Sequence, residues 1–141
     1  EFPADRVDYG AAIDYKLGLL RKAFENFKKT EDEAIAAEFH KFCDENGFWL
    51  EDYALFKVIK EKTSQAGWES WPEPLKNREE AALNQLRREE KETFEFHMWL
   101  QWQLFLQFRD AAQALRKKGV FLMGDLPFLA TVGYSKKSDR P

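Results

Sequence analysis

Apolar residues recur at helical spacing through the first part of the chain. Over residues 9–29 they stand at i, i+4, i+7, i+11 and i+14, as Ile13, Leu17, Leu20, Phe24 and Phe27. Because this spacing places side chains on one face of an α-helix, a first helix is predicted here. Thr30 and Glu33 have the spacing of a capping box, which predicts that a second helix opens at this point.

Two further helices are predicted before residue 63. The second helix carries apolar residues on one side, namely Ile35, Phe39 and Phe42. We expect Asn46 and Gly47 to end it, because both tolerate the left-handed conformation that a helix end needs. The segment FWLEDYALFKVIKEK at 48–62 then predicts a third helix, whose apolar face holds Leu50, Tyr53, Ala54 and Val58.

Prolines and tryptophans interrupt the helical pattern over residues 64–80. This stretch, SQAGWESWPEPLKNREE, contains Pro72 and Pro74, and its two tryptophans, Trp68 and Trp71, stand three residues apart. Proline disfavours helix at the residue before it. A compact aromatic loop is therefore predicted.

A long helical pattern follows, from a predicted cap at Asn77 with Glu80 to Lys118. The polar run RREEKE at 87–92 is the expected position of a break or bend. The segment FEFHMWLQWQLFLQF at 94–108 is apolar on nearly all sides, which is typical of a buried helix. Gly119 suits the position just past the end of the last helix.

Continuous apolar sequence comes directly after this last helix. The run VFLM at 120–123 is typical of a parallel strand that is covered on both faces. A lone parallel strand cannot satisfy its backbone hydrogen bonds, so the alternative is an extended segment packed against the helices. Asp125 would stand at the end of such a strand, where α/β barrels place substrate-binding groups; in the alternative its side chain only caps a turn.

Composition restricts the possible partners and compartment. The chain has 141 residues, a net charge of −3 and a pI near 5.5, which gives no reason to expect nucleic acid or an anionic membrane as partner. One cysteine, Cys43, excludes an internal disulfide and fits a reducing compartment. No apolar run approaches the ~20 residues that span a bilayer, and the N-terminus has no signal-peptide pattern. We expect a soluble, cytoplasmic protein.

The titratable residues show no metal-site spacing, and a catalytic carboxylate pair among Glu89, Glu90, Glu92 and Glu95 is the less favoured of two interpretations. His40 and His97 lie in different helical segments, so no zinc site is predicted, and we expect His97 to be a hydrogen-bonded core residue. Cys43 is expected to be a small buried hydrophobe, since nothing in the sequence lowers its pKa. The acidic residues of the polar stretch alternate with basic ones, which is typical of a solvated helix face; they are Glu89, Glu90, Glu92 and Glu95.

The tryptophans allow two interpretations. Trp99 and Trp102 fall in the apolar segment and are predicted to be core residues. Trp68 and Trp71 are candidates for stacking on sugar rings, but loop tryptophans commonly seal a hydrophobic edge. The structural interpretation is favoured for both loop residues.

Five stretches of the chain together resemble the amylomaltases, the bacterial 4-α-glucanotransferases that are also called disproportionating enzymes. They are RVDYG, WLEDYALF, GWESWPEPLKNREEAAL, QWQLFLQF and GDLPF, and they occur in the order found in that family. The most specific are WLEDYALF and a pattern formed by Trp71, Pro72, Leu75 and Arg78. The resemblance covers residues 6 to about 129. After Leu129 the segment ATVGYSKKSDRP departs from the family's continuation.

The resemblance implies a mainly α fold: a helical insertion segment of a (β/α)8 TIM-barrel glucanotransferase that ends in one barrel-type strand at about 120–124. Residues 1–118 would form the helical segment, 119–129 the strand with its GDLP loop, and 130–141 a non-matching tail. Asp125 would belong to the sugar-binding site without being the nucleophile. Trp68 and Trp71 are weaker substrate-binding candidates.

The resemblance also implies a chemistry, the retaining transfer of α-1,4-glucan segments between maltooligosaccharides without a cofactor. The family's nucleophilic aspartate, acid/base glutamate and transition-state aspartate have no counterpart here, so neither a catalytic residue nor a metal ligand is assigned in this chain. We expect a fragment of a longer enzyme, inactive alone and prone to self-association. The alternative is a stand-alone helical scaffold or protein-interaction module.

Overall fold

The computed structural model describes residues 5–30 and 32–124, and the regular secondary structure in this part of the chain is entirely helical. The α-helices are α1 Tyr9–Lys28, α2 Glu33–Lys62, α3 Glu73–Lys76, α4 Glu80–Glu89 and α5 Lys91–Lys117, and a 3-10 helix, Trp68–Ser70, lies between α2 and α3. The predicted mainly α class is confirmed. The chain divides after Lys41 into two compact units.

The first unit is built from α1 and the N-terminal part of α2. Phe24 is buried, and its ring lies 6.3 Å from that of Phe27. Phe27 in turn meets Phe39 of α2 edge-on, with ring centroids 5.5 Å apart. The apolar stripe of α1 therefore packs at its C-terminal end, whereas Ile13 and Leu17 nearer its start are exposed.

The start of α2 differs from the predicted capping box. Asp32 Oδ1 accepts hydrogen bonds from the backbone N–H groups of Ala34, at 3.0 Å, and Ile35, at 3.2 Å. Thr30 Oγ1 instead accepts from the N–H of Asp32 itself, at 3.5 Å. The prediction that Thr30 caps this helix was wrong, because Asp32 directly precedes the first turn and its carboxylate is favoured at the positive end of the helix dipole.

α2 continues through Asn46 and Gly47, where the sequence predicted its end. Asn46 Nδ2 donates to the carbonyl of Phe42 one turn earlier, at 2.9 Å, and its Oδ1 accepts from Trp49 Nε1 at 3.1 Å. The Asn46 side chain therefore bonds within the helix rather than closing its end. A glycine inside a helix costs only about 1 kcal/mol relative to alanine, so one helix of 30 residues replaces the two predicted.

The core of the second unit lies among the C-terminal part of α2, α4 and α5. A cluster of buried side chains from α2 and α4 forms one side of it: Leu55, Val58, Ile59, Leu83 and Leu86. α5 buries Phe96 together with Trp99 and Trp102, which confirms both tryptophans as core residues. The helical pattern breaks at Glu90, between α4 and α5, within the predicted interval 87–92.

Asn77 does not begin α4. Its backbone N–H donates to the carbonyl of Glu73 at 2.8 Å and ends α3, while α4 begins after Glu79 without a side-chain cap. The Asn77 side chain also turns back, because its Nδ2 donates to Glu73 Oε2 at 3.2 Å. The prediction that Asn77 caps α4 was wrong, because the short helix α3 forms before it and Asn77 is the C-terminal cap of α3.

The end of α5 confirms one prediction and corrects another. Gly119 has a φ of 74° just past the helix, as expected for a glycine in that place. The predicted burial of 94–108 holds only as far as Trp102, which is 4% exposed, since Leu104 is 59% and Phe108 61% exposed. Phe105 is 49% exposed although its ring lies 5.2 Å from that of Phe42 on α2.

Residues 120–124 do not form the predicted strand. Phe121 is 81% and Met123 98% exposed. A strand requires a partner strand for its backbone hydrogen bonds, and none occurs in 5–30 or 32–124. Within the same residues, no helix has both the length and the apolar character needed to cross a membrane.

Candidate functional site

The substrate-binding residue predicted from the sequence, Asp125, lies outside the described residues. The described candidates, Trp68 and Trp71, lie in the segment 64–78, which we call the tryptophan loop and which joins α2 to α4. Three of its residues have a left-handed backbone: Ser64 with φ 51°, Gln65 with φ 64° and Arg78 with φ 59°. The first two turn the chain after α2, and Arg78 turns it just before α4.

The C-terminal end of α2 holds the start of the tryptophan loop. Lys60 Nζ donates to the carbonyl of Gln65 at 2.6 Å and to that of Ala66 at 3.0 Å. Thr63 Oγ1 donates to the carbonyl of Ile59 at 2.8 Å. The Lys60 ammonium thus binds two carbonyls of the loop just beyond the end of α2, and these bonds hold the loop against the last turn of the helix.

Trp71 ties the loop to the hydrophobic core. Its Nε1 donates to the carbonyl of Ala66 at 3.2 Å, and its ring lies tilted against that of Phe56 with centroids 5.7 Å apart. The half-buried indole also packs, with Leu75 and Phe94, against the buried cluster of α2 and α4. These contacts support the interpretation that Trp71 seals the loop. Substrate binding by Trp71 stays a prediction.

Trp68 has different surroundings. It starts the 3-10 helix and is half-buried, as Trp71 is, and Lys76 Nζ lies 5.9 Å from its ring centroid. Lys76 Nζ also lies 3.4 Å from Glu73 Oε1, and Asn77 Nδ2 donates to the other oxygen of Glu73 at 3.2 Å. A half-buried aromatic ring thus lies near an ammonium group, whose neighbourhood at α3 also holds a carboxylate and an amide.

An ion pair joins the two sequence stretches that carry the resemblance most specifically. Arg78 Nη2 donates to Asp52 Oδ1 at 2.5 Å. The adjacent residue on α2, Glu51, accepts from Arg87 Nη2 of α4 at 3.3 Å. Consecutive carboxylates of α2 therefore bind arginines from the loop and from the following helix. The sequence identified Arg78 only as part of a pattern, and no spacing rule links it to Asp52.

His97 is the buried, hydrogen-bonded residue that the sequence predicted. Its side chain is 3% exposed, and its Nε2 lies 2.8 Å from Glu61 Oε1. This contact joins α5 to the C-terminal part of α2. His97 therefore has a structural partner in the fold.

Cys43 carries a thiol that resists ionisation. It is half-buried on α2, and burial, followed by the nearby charges of Asp44, Glu51 and Glu95, raises its pKa from 9.0 to about 11. A thiol with such a pKa is protonated and weakly nucleophilic near neutral pH. This agrees with the prediction that nothing activates this cysteine.

The acidic residues of 89–95 form polar contacts at the surface of α4 and α5. Glu90 Oε1 lies 2.6 Å from Lys62 Nζ, and Glu89 Oε1 accepts from Gln85 Nε2 at 2.7 Å. Glu89 is exposed, as the predicted solvated face requires, whereas Glu90 is half-buried in its ion pair with Lys62. Across 5–30 and 32–124, no three histidine, cysteine or acidic side chains are grouped so that they could hold a metal ion.

Comparison with known proteins identifies the family. The family model described as 4-alpha-glucanotransferase matches residues 1–134. The chain is 36% identical over 126 residues to the 4-alpha-glucanotransferase of Thermus thermophilus, an alignment that covers 89% of this chain and 25% of that protein. It is 37% identical over 126 residues to the enzyme of that name from Synechocystis sp., with 89% and 25% covered.

A plant protein is similar over a slightly longer stretch. The chloroplastic/amyloplastic 4-alpha-glucanotransferase of Solanum tuberosum is 34% identical over 134 residues, which cover 94% of this chain and 23% of the relative. The chain therefore spans about a quarter of the length of the curated relatives that it matches. With nearly all of its residues matched in each comparison, the chain belongs to the 4-alpha-glucanotransferase family.

Proposed function

We propose that this chain is the helical part of a 4-alpha-glucanotransferase that transfers α-1,4-glucan segments between maltooligosaccharides with retention of configuration. The proposal rests on the match of the family model to residues 1–134. It is supported by the similar proteins that are named 4-alpha-glucanotransferase. Since the chain spans about a quarter of their length, the proposed activity is that of the longer protein. We place that enzyme in the cytoplasm.

The catalytic carboxyls of this reaction belong, in our proposal, to the rest of the enzyme. Retaining transfer needs a nucleophilic carboxylate and an acid/base carboxyl about 5 Å apart. Several carboxylates of the described helices are instead bound to cations: Asp52 to Arg78, Glu51 to Arg87 and Glu90 to Lys62. Such ion pairs favour a structural role for these groups. The reaction uses no cofactor.

Residues 119–129 would supply one strand and one sugar-binding residue to a TIM barrel in the longer enzyme. The exposure of Phe121 and Met123 supports this placement, because consecutive apolar side chains suit a strand that is covered on both faces. Asp125 would then stand at the C-terminal end of the strand, the end at which such barrels bind substrate. Its carboxylate would accept hydrogen bonds from sugar hydroxyls.

Maltotriose is the probe that tests this function. The longer protein should convert it into glucose and longer maltooligosaccharides, which chromatography separates, whereas the 141-residue chain should form neither. Failure of the longer protein to transfer glucan would overturn the proposal. Transfer by the 141-residue chain alone would show that the catalytic carboxyls lie within it.

Asp125→Asn tests the site assignment in the longer protein. The substitution removes the charge but keeps the shape, and hydrogen bonds to a charged group contribute roughly 1.5–3 kcal/mol. We expect kcat/KM to fall by about ten- to a hundredfold. Asp110→Asn is the control, since that carboxylate lies on α5 and is 68% exposed. Full activity of the Asp125 variant would contradict the assignment.

A further inference from the structure

The apolar stripe of α1 is covered over only part of its length. Its residues Tyr9, Ile13, Leu17, Leu20 and Phe24 recur at intervals of three or four and so share one face of the helix. Their exposure falls along the helix, from 73% at Tyr9 and 54% at Ile13 to 37% at Leu17, 36% at Leu20 and 3% at Phe24. The N-terminal part of the stripe, Tyr9 to Leu20, is therefore open to solvent, and we call these four residues the α1 face.

The α1 face continues an existing contact between helices. Phe27 belongs to the same stripe, and its ring meets that of Phe39 on α2 edge-on at 5.5 Å. An amphipathic helix turns its apolar stripe towards protein and its charged residues away from it, and α1 carries charged residues on its other side, namely Asp14, Lys22 and Glu25. The helix thus has the pattern of one that is covered along its whole length, but in the described part of the chain only its C-terminal half is covered.

The α1 face is too small to hold a second copy of the chain by itself. A stable interface between separate proteins buries about 800 Å² on each partner and uses roughly 20–30 residues a side, whereas the α1 face offers four large apolar side chains. A partner on the same polypeptide needs less area, because the covalent connection gives it a high effective concentration. A small apolar face of this kind therefore suits an intramolecular partner.

The length of the relatives supplies such a partner. The chain spans about a quarter of their length, so about three quarters of a family member lies outside it. From this we propose that the rest of the longer enzyme docks an apolar surface on the α1 face and buries Ile13 and Leu17. The inference rests on the proposed function, which makes the chain part of that enzyme. Docking at α1 fixes this helix against the remainder of the enzyme instead of leaving it at the surface.

Cysteine labelling compares the α1 face in the 141-residue chain and in the longer enzyme. In proteins whose other cysteines, Cys43 included, are replaced by alanine, Ile13→Cys should react with a maleimide about tenfold or more slowly in the longer enzyme, because a buried thiol reacts only when the structure opens locally. Leu19→Cys is the matched control. Leu19 is 49% exposed, close to the value for Ile13, and the six intervening steps of the helix place it on another side of α1.

The control should react at the same rate in both proteins. Equal rates for Ile13→Cys in the two proteins would overturn the inference, and so would protection of Leu19→Cys to the same degree. Labelling at several concentrations of the 141-residue chain tests the other occupant. Protection of Ile13→Cys that grows with concentration would assign the α1 face to a second copy and overturn the inference.

Stability provides a second measurement that does not depend on a thiol. Ile13→Ser should lower the melting temperature of the longer enzyme by about 2 °C or more, because it removes a buried side chain there. In the 141-residue chain, where Ile13 is exposed, it should change the melting temperature by no more than Leu19→Ser does. Equal effects of Ile13→Ser and Leu19→Ser in the longer enzyme would contradict the docking.

The labelling experiment needs no glucan, which separates this inference from the proposed function. Protection of Ile13→Cys in a longer protein that does not transfer glucan would support the docking and overturn the proposed function. Glucan transfer by a longer protein in which Ile13→Cys is labelled as fast as in the 141-residue chain would overturn the docking and leave the proposed function standing.

Discussion

Arg78 Nη2 lies 2.5 Å from Asp52 Oδ1, a contact that joins residues 26 positions apart in the sequence. Asp52 lies within α2. Arg78 is the last residue of the tryptophan loop and directly follows Asn77, the residue that ends α3. The contact therefore fixes where α4 begins relative to α2. Both side chains are more than a third exposed, so solvent screens their attraction.

A double-mutant cycle should measure a small favourable coupling between Asp52 and Arg78. Given their exposure, we expect about 0.5 kcal/mol from urea unfolding of Asp52→Asn, Arg78→Gln and the double variant. The Lys91–Glu95 pair on α5 is the control, since it is longer, at 3.7 Å, and Lys91 is 75% exposed. Equal coupling energies in the two pairs would contradict the role given to Arg78.

The backbone of Arg78 predicts an unusual order of stabilities. Its φ of 59° is in the left-handed region, which is strained for residues with a Cβ and free for glycine. Arg78→Gly and Arg78→Ala lose the same ion pair, but only the first relieves the strain. We expect the glycine variant to be more stable than the alanine variant by about 1 kcal/mol in chemical unfolding. The reverse order would show that the loop has another conformation.

Trp71 should contribute more to stability than Trp68. Trp71→Ala removes a half-buried ring from the core edge, and we expect a loss of about 2–4 kcal/mol, somewhat below the range for fully buried aromatics. Trp71→Phe keeps the ring contact with Phe56 but loses the hydrogen bond to Ala66, at a cost of about 1 kcal/mol. Trp68→Ala, the matched control, should cost under about 1 kcal/mol. Equal melting temperatures for Trp71→Ala and Trp68→Ala would contradict the anchoring role.

The raised pKa of Cys43 predicts slow alkylation and a specific pH dependence. With a pKa of about 11 rather than 9.0, the thiolate fraction at pH 8 is about a hundredfold lower than in the unfolded chain. Iodoacetamide should therefore react about a hundredfold more slowly with the folded chain than with the chain in urea. Equal rates would show that Cys43 is not protected.

The same pKa affects stability at high pH. Between about pH 9 and pH 11 the unfolded thiol loses its proton while the folded thiol keeps it, so the free energy of unfolding should fall with rising pH in that interval. After allowance for partial exposure we expect a loss on the order of 1 kcal/mol. Cys43→Ala should lack this part of the pH dependence, which provides the comparison.

The exposed apolar residues at the end of α5 predict self-association of the 141-residue chain. Leu104, Phe105 and Phe108 lie within one turn of α5 and are exposed, as are the apolar residues of 120–123, and exposed apolar surface drives association. Sedimentation velocity should show mass rising with concentration, and Leu104→Ser with Phe108→Ser should reduce it. Arg109→Ser is the control on the same helix. A strictly monomeric chain would favour the stand-alone helical module instead.

The sequence by itself determined where most helical segments lie. The apolar spacing of Phe24 and Phe27, the break near Glu90 and the glycine after α5 are local signals, and the structure agrees with each of them. The burial of Trp99 and the hydrogen-bonded state of His97 also followed from their place in an apolar segment. Such features depend on neighbours within a few residues, which a sequence displays directly.

The tertiary structure decided the features that depend on distant partners. Whether Asn46 ends a helix depends on whether its amide bonds to Phe42 and Trp49 or closes a turn, and local propensity allows both. The packing of Trp71 likewise depends on a buried cluster contributed by α2 and α4. The loop sequence contains none of the residues of that cluster. The pairing of Arg78 with Asp52 requires the chain to fold back over 26 positions. Residues 120–124 show the same dependence, because a strand forms only beside another strand and its own sequence cannot supply one.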